Sequence, residues 1–299
     1  MFLEASYYCE PSAKEMIPRE RFVRYYRDLH ARYHLSLDEK TFSSGSPYKF
    51  SDLGYNVFDP CAKDNNLKHI DLMVGAYWAH EYDPDFASCG PHFSYKYGFD
   101  CNMFDVLDQG SLCTFTAIHL ISRYFENNSA TKALCFAFDQ TVIPRSSIDS
   151  IPVPTKTAAG LVVLNKDGKR DTQCRIETVE LWPEYVLCEG NLNMIGLLLE
   201  MLRKYGLAIE QCSILCKRSS IVYKAFNFYK NRYKELNSHL DIQFLPIEDT
   251  CVEPLNVLNQ LNNRIIKTRP FVALIDDDVE SLAVAVMIVS VPELVEVNL

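Results

Sequence analysis

Phe104-Asp105-Val106-Leu107-Asp108-Gln109-Gly110-Ser111 opens the stretch, residues 104 to 164, around which the chain is organised. It is a short apolar run that ends in a tight turn. From Leu112 to Phe125 the apolar residues Phe115, Ile118, Ile121, Tyr124 and Phe125 keep the three-and-four spacing of one buried helix face. Asn127-Asn128-Ser129 is a polar stop. Ala133 to Asp139 follows, an apolar run short enough for a strand covered on both faces, and Ala159 to Leu164 is a second such run. The order is strand, sharp turn, helix, strand, loop, strand. Ser111 falls at the amino end of the helix, where backbone N–H groups and the helix dipole favour negative charge. That position suits a nucleophile or an oxyanion.

Composition bounds the rest. A chain of 299 residues can bury a large core in one big or two small domains. Hydrophobic residues make up 48% and the net charge is −9, which argues against a nucleic-acid partner. Eleven cysteines are scattered without a framework, and Cys212 and Cys216 have no neighbouring histidine to complete a zinc site. They read as buried reduced thiols of a cytoplasmic protein. The first residues lack the basic-then-apolar pattern of a signal peptide, and the longest apolar run, Leu282 to Val291, is too short to span a bilayer.

In chain order, Leu3 to Cys9 reads as a strand. Arg19 to His34 reads as a helix with Phe22, Tyr25, Leu29 and Tyr33 inward and a solvated arginine-rich face outward. Ser51 is placed to cap a helix running to Cys61. Leu67 to Ala76 is a helix exit and a buried strand, and His92 to Phe99 is aromatic and helical or irregular. Cys174 to Trp182 alternates as a strand, and Glu189-Gly190-Asn191 opens a helix to Tyr205 with Gly206 as its C-cap. Cys212 to Cys216 and Ile242 to Leu245 are strands. A helix starts at Ser219 or Ser220. Pro254 fits the start of another that runs to Ile266. Phe271 to Ile275 and Leu282 to Val291 are strands around an acidic turn. Residues 133–164 and 271–291 occupy corresponding places in two similar halves.

From about residue 67 to 291 this pattern resembles the thiolase superfamily, in its β-ketoacyl-acyl-carrier-protein synthase III branch. There, a strand reading roughly F-D-V leads to a Cys nucleophile at a helix start, followed by a strand ending in Asp, a loop, and G-A-G-A-V-V-L. Counting back from Asp139 puts Ser111 at the nucleophile position, while counting forward from Phe104 puts Gly110 there. Matching Ala117 and Tyr124 along the helix favours Ser111. The Leu67–Ala76 segment is similar to the family's I-D-L-I-V. The resemblance implies an α/β, five-layer αβαβα fold made of two similar halves, residues 1–165 and 166–299.

The chemical groups of the family do not follow the frame. Its His lies in an H-Q-A-N segment, where this chain has Cys216-Lys217-Arg218-Ser219-Ser220, and no His occurs between His119 and His239. Its Asn lies in a G-N-T-S segment, matched here by Ile247-Glu248-Asp249-Thr250. The Gly-rich C-terminal loop is replaced by Asp276-Asp277-Asp278-Val279-Glu280, and the G-D-G-A-G run by Lys156-Thr157-Ala158-Ala159-Gly160. The degenerate catalytic set is then Ser111, Lys217, Arg218 and Ile247. Ser111 lacks a base, and Lys217 or Arg218 offers only a cation. The three aspartates read more plainly as a solvated turn than as a metal site.

The resemblance therefore implies a degenerate ketosynthase III-like subunit. Its expected role is non-catalytic, as partner of an active ketosynthase in polyketide, fatty-acid-derived or other secondary-metabolite biosynthesis. The alternative is an acyltransferase or priming synthase that uses Ser111 as acyl acceptor from an acyl-CoA or acyl-carrier-protein thioester. No cofactor is expected beyond the phosphopantetheine of such a substrate. The expected partners are a second ketosynthase-like chain, in a homo- or heterodimer joined near Cys101–Leu107, and an acyl carrier protein, with no nucleic acid and no membrane. The aromatic stretch His92 to Phe104 would either supply that interface or pack in its own core.

Overall fold

The computed structural model describes residues 1–14, 20–40, 46–64, 66–83, 85, 89–144, 146, 154–168, 173–182, 191–217, 223–224, 241–245, 250–278 and 283–292. In chain order the elements are β1 (Phe2–Cys9), α1 (Glu20–Arg32), α2 (Phe50–Lys63), β2 (Leu72–Tyr77), α3 (Cys89–Tyr97), β3 (Asn102–Val106), α4 (Cys113–Glu126), β4 (Lys132–Asp139), β5 (Ala158–Asn165), β6 (Arg175–Trp182), α5 (Asn191–Lys204), β7 (Cys212–Lys217), β8 (Asp241–Leu245), α6 (Glu253–Asn262), β9 (Phe271–Asp278) and β10 (Ala283–Ser290).

The strand order is β3-β2-β4-β5-β1-β6-β10-β9-β7-β8. Read outward from the middle, the first five strands and the last five repeat one pattern. In each half the three outermost strands run parallel and the next two join antiparallel. The halves meet where β1 and β6 pair at Phe2 and Arg175.

The period-two side-chain alternation assigns each residue to a layer. In β4, Cys135 and Ala137 face the centre, whereas Leu134, Phe136 and Phe138 face the outer helices. In β10, Ala285, Met287 and Val289 face the centre, and Val284, Val286 and Ile288 face outward. Both faces are dry, which is why these strands read as unbroken apolar runs. The central layer is α4, through Phe115, Ile118 and Ile121, and α6, through Leu255, Leu258 and Leu261. One outer layer is α2 and α3, where the Phe58 and Phe93 rings stack with centroids 4.4 Å apart. The other is α5, through Leu198, Met201 and Leu202. The result is the expected five-layer αβαβα arrangement of two similar halves.

Several local expectations change. The α1 face that was read as inward buries Phe22, but Tyr25 and Tyr33 are exposed. A helical period locates a stripe; it does not say which wall the stripe meets. The residue before α2 is Lys49, so Ser51 lies inside the first turn and is not the cap. The last helix ends at Asn262, short of Ile266. Gly206 is the expected left-handed cap after α5, at φ 69°, with Leu207 N–H closing on Leu202 O at 2.9 Å. The aromatic stretch divides: Phe93 is core, whereas Tyr95 is 92% exposed. The helix expected from Ser219 or Ser220 lies largely outside the described residues. Among the described residues no helix is long and apolar enough to cross a membrane.

Candidate functional site

The site begins with the turn between β3 and α4. Asp108 and Gly110 both take left-handed backbone, at φ 61° and 52°. Asp tolerates that region through its short polar side chain, and Gly enters it without cost. A Cβ on Gly110 would lie 3.4 Å from Asp278 Oδ1 and 3.7 Å from the Trp78 ring, so the missing side chain lets the turn rest against the end of β9. Residues 110–112 form one 3₁₀ turn that leads into α4, and Ser111 sits in it, 3% exposed.

The turn that holds Ser111 packs against β9, and the Ser111 hydroxyl there helps to hold the Asp276 carboxyl down. Asp276 Oδ1 receives Lys217 Nζ at 2.8 Å and the Asp277 N–H at 2.9 Å. Strand register brings the pair together: β7 and β9 are parallel with Cys216 opposite Ile275, so the next residues, Lys217 and Asp276, lie side by side. Asp276 and Lys217 are both almost wholly buried. Burial raises the Asp276 carboxyl above the usual carboxylate range, against the pull of Lys217.

A second carboxylate approaches from the other half. Asp139 ends β4 with no exposed surface. Its two oxygens accept the Val252 N–H at 2.9 Å and the Cys251 thiol at 3.1 Å, which caps the start of α6 from a distant strand. Burial pushes its carboxyl up to about 7, opposed in part by Lys217. Lys217 thus acts electrostatically on both aspartates.

The neighbouring thiols are inert. Cys113 donates to Tyr77 O at 3.1 Å, and burial pushes its thiol up to about 12. Cys251 is raised further by burial and by the adjacent Asp139. Neither supplies a thiolate near neutral pH. Lys156, from the shortened Gly-rich run, pairs with Glu253 at 3.2 Å. Gly160 remains because a Cβ there would meet Leu255 Cβ at 2.8 Å, so the glycine lets α6 lie close on β5.

Of the site residues expected from sequence, Lys217 pairs with Asp276 and Ser111 lies in the turn packed against the same strand. Arg218 and Ile247 lie outside the described residues. The solvated acidic turn is corrected: Asp276 and Asp277 belong to β9, paired with Ala285 and Val284, and both are buried. Asp139 and Cys251 were missed as members of the cluster. The available signal for Asp139 was a carboxylate that closes an otherwise apolar buried strand. Among the described residues no three His, Cys, Asp or Glu side chains are grouped to hold a metal ion.

No protein-family model and no curated protein matches the chain. Solved structures do. β-Ketoacyl-acyl-carrier-protein synthase III of Thermus thermophilus superposes with a TM-score of 0.63 at 13% identity, covering 97% of this chain and 99% of that one. A tetronic acid condensing enzyme gives 0.64 at 12% identity over 97% and 99%. A variant of OleA from Xanthomonas campestris gives 0.61 at 12% over 97% and 97%. At such identities the likeness is one of fold, and the chain has the thiolase-type fold of the β-ketoacyl-acyl-carrier-protein synthase III-like condensing enzymes.

Proposed function

We propose that this chain is a degenerate ketosynthase III-like subunit that works beside an active ketosynthase without forming carbon–carbon bonds itself. The observation that carries the reading is the Ser111–Asp276–Lys217 cluster. Decarboxylative condensation needs a thiolate to take the acyl group and fixed donors to hold a developing enolate. Here a hydroxyl stands at the nucleophile turn, which packs against the strand that carries Asp276. Asp276 and Asp139 oppose new negative charge, and the Lys217 cation is already paired. The pathway proposed is polyketide, fatty-acid-derived or other secondary-metabolite assembly, with an acyl carrier protein as a further partner and a cytoplasmic setting.

Support for pairing with a second chain comes from topology. β3 is an edge strand, half-exposed along most of its length, and its outer side is unpaired by any described strand. Such an edge is a ready template for another chain. The expected result of co-purification is a second ketosynthase-like chain that retains Cys, His and Asn, in a complex whose activity survives Ser111→Ala. A purified homodimer that performs condensation alone contradicts the reading.

One observation favours the second reading, an acyltransferase or priming synthase with Ser111 as acyl acceptor. The Ser111 hydroxyl lies in a turn packed against β9, beside the Asp276 carboxyl, a group of the type that can take its proton. An ester on Ser111 formed from an acyl-CoA or acyl-carrier-protein thioester, and lost in Ser111→Ala, would establish it.

A further inference from the structure

At the carboxyl end of β2 and β4, the end at which Asp139 closes its strand, α1 rests on the loop that carries Glu81, Tyr82 and Asp83. The contact is small. Phe22, Tyr82 and Val142 form a buried cluster of their own, apart from the main cores. Tyr26 adds a hydroxyl that donates to Tyr82 O at 2.7 Å. An element held by so few buried apolar groups opens locally, well below the free energy of global unfolding.

The seat beneath α1 holds two acids in a dry setting. Glu81 and Asp83 are both buried. Glu81 accepts the Phe50 N–H at the start of α2, the Asp83 N–H at 3.2 Å and Gln140 Nε2 at 2.8 Å. Gln140 in turn donates to Tyr48 O at 2.7 Å and accepts the Tyr82 N–H at 3.3 Å. One carboxyl thus ties together the start of α2, the residue after β4 and the seat of α1. Among the described residues one cation pairs with either acid: Lys49 Nζ lies 3.4 Å from Asp83 Oδ2, an oxygen without a hydrogen bond. Tyr26 of α1 and Cys89 of α3 also face Glu81, and burial raises both, so neither titrates near neutral pH. Ionising Glu81 therefore adds a second negative charge to a buried loop in which no described cation pairs with it. Burial pushes the Glu81 carboxyl up to about 7, against the pull of its three donors.

We propose that α1 is a proton-controlled flap, seated on the 81–83 loop while Glu81 is protonated and released when Glu81 ionises beside Asp83. Release uncovers the end of the sheet at which Asp139 and the Ser111 turn lie. The seated form binds the Glu81 proton more tightly than the released one. Seating is then favoured at low pH and weakens as pH rises to about 7.

Hydrogen exchange of the full chain at pH 6 and pH 8, read by mass spectrometry and corrected for the intrinsic pH dependence of exchange, tests this. Peptides of α1 are expected to lose protection about tenfold between the two, the factor supplied by a carboxyl that titrates near 7 when seated and near 4.5 when released. At both pH values α1 should be less protected than β5. In Glu81→Gln, which cannot ionise, α1 should be equally protected at pH 6 and pH 8. Equal protection in the unsubstituted chain overturns the proposal, and so does a loss that persists in Glu81→Gln. Protection of α1 that matches β5 reports unfolding of the whole chain and overturns it too. Should Glu81→Gln not fold, Asp83→Asn decides. With that neighbour neutral the loss in α1 must shrink, and an undiminished loss overturns the proposal.

Discussion

At the scale of single residues, the account rests on buried charge. Lys217 and Asp276 are each nearly inaccessible and lie 2.8 Å apart. Removing one partner of such a pair strands the other, at a cost of about 3–5 kcal/mol, whereas replacing both by apolar groups approaches neutrality. Lys217→Met should therefore lower stability by about that amount in urea denaturation, and Lys217→Met/Asp276→Leu should recover most of it. A silent Lys217→Met would show that the pair is solvated. Asp139 and Glu81 give a pH signature, since burial pushes each carboxyl up to about 7. An acid with a raised folded pKa holds its proton more tightly folded than unfolded. Its contribution is then full below about pH 4 and is lost as pH rises to about 7. Stability should fall across that window, by on the order of 4 kcal/mol from Asp139. Asp139→Asn should flatten the slope, read from urea midpoints at pH 5 and pH 8. An unchanged slope would remove Asp139 from the account.

At the scale of elements, close approach is set by small residues. A Cβ on Gly54 of α2 would lie 1.9 Å from Phe93 Cζ of α3. Gly54→Ala gains up to about 1 kcal/mol of helix propensity, but overpacking costs about 1–3 kcal/mol. A net loss of Tm is expected, relieved by Phe93→Leu; a gain in Tm would show that the helices separate freely. The elements also show what the sequence made legible. β4, β5, β9 and β10 are visible because two dry faces leave long apolar runs. The buried aspartates of β9 are not visible, because three consecutive acids carry the signal of a turn. For Asp276, the register with β10, opposite Ala285, and the cation from β7 accompany that burial. Tyr25 and Tyr33 mislead for a different reason: their period marks a helix, but both side chains are exposed.

At the scale of the whole molecule, the echo between residues 133–164 and 271–291 was readable from matching apolar runs, whereas the order of strands in the sheet and the contents of the site arise from contacts between segments far apart in sequence. Asp139 and Lys217 end their strands and Asp276 lies near the end of a third, in two halves. No local pattern states that they meet. Association through β3 is testable at this scale. Alternate residues of an edge strand present their N–H outward, so Met103→Pro and Phe104→Pro should differ. The one that loses an outward N–H should dissociate the assembly in light scattering yet keep its circular dichroism. Retention of the assembly by both would exclude this edge. The central claim is that the frame of a condensing enzyme persists here without an acylable centre. Intact-mass spectrometry after incubation with an acyl-CoA donor tests it most directly. The account predicts an unchanged mass at every time point. An adduct of one acyl group that maps to Ser111 and vanishes in Ser111→Ala would contradict it.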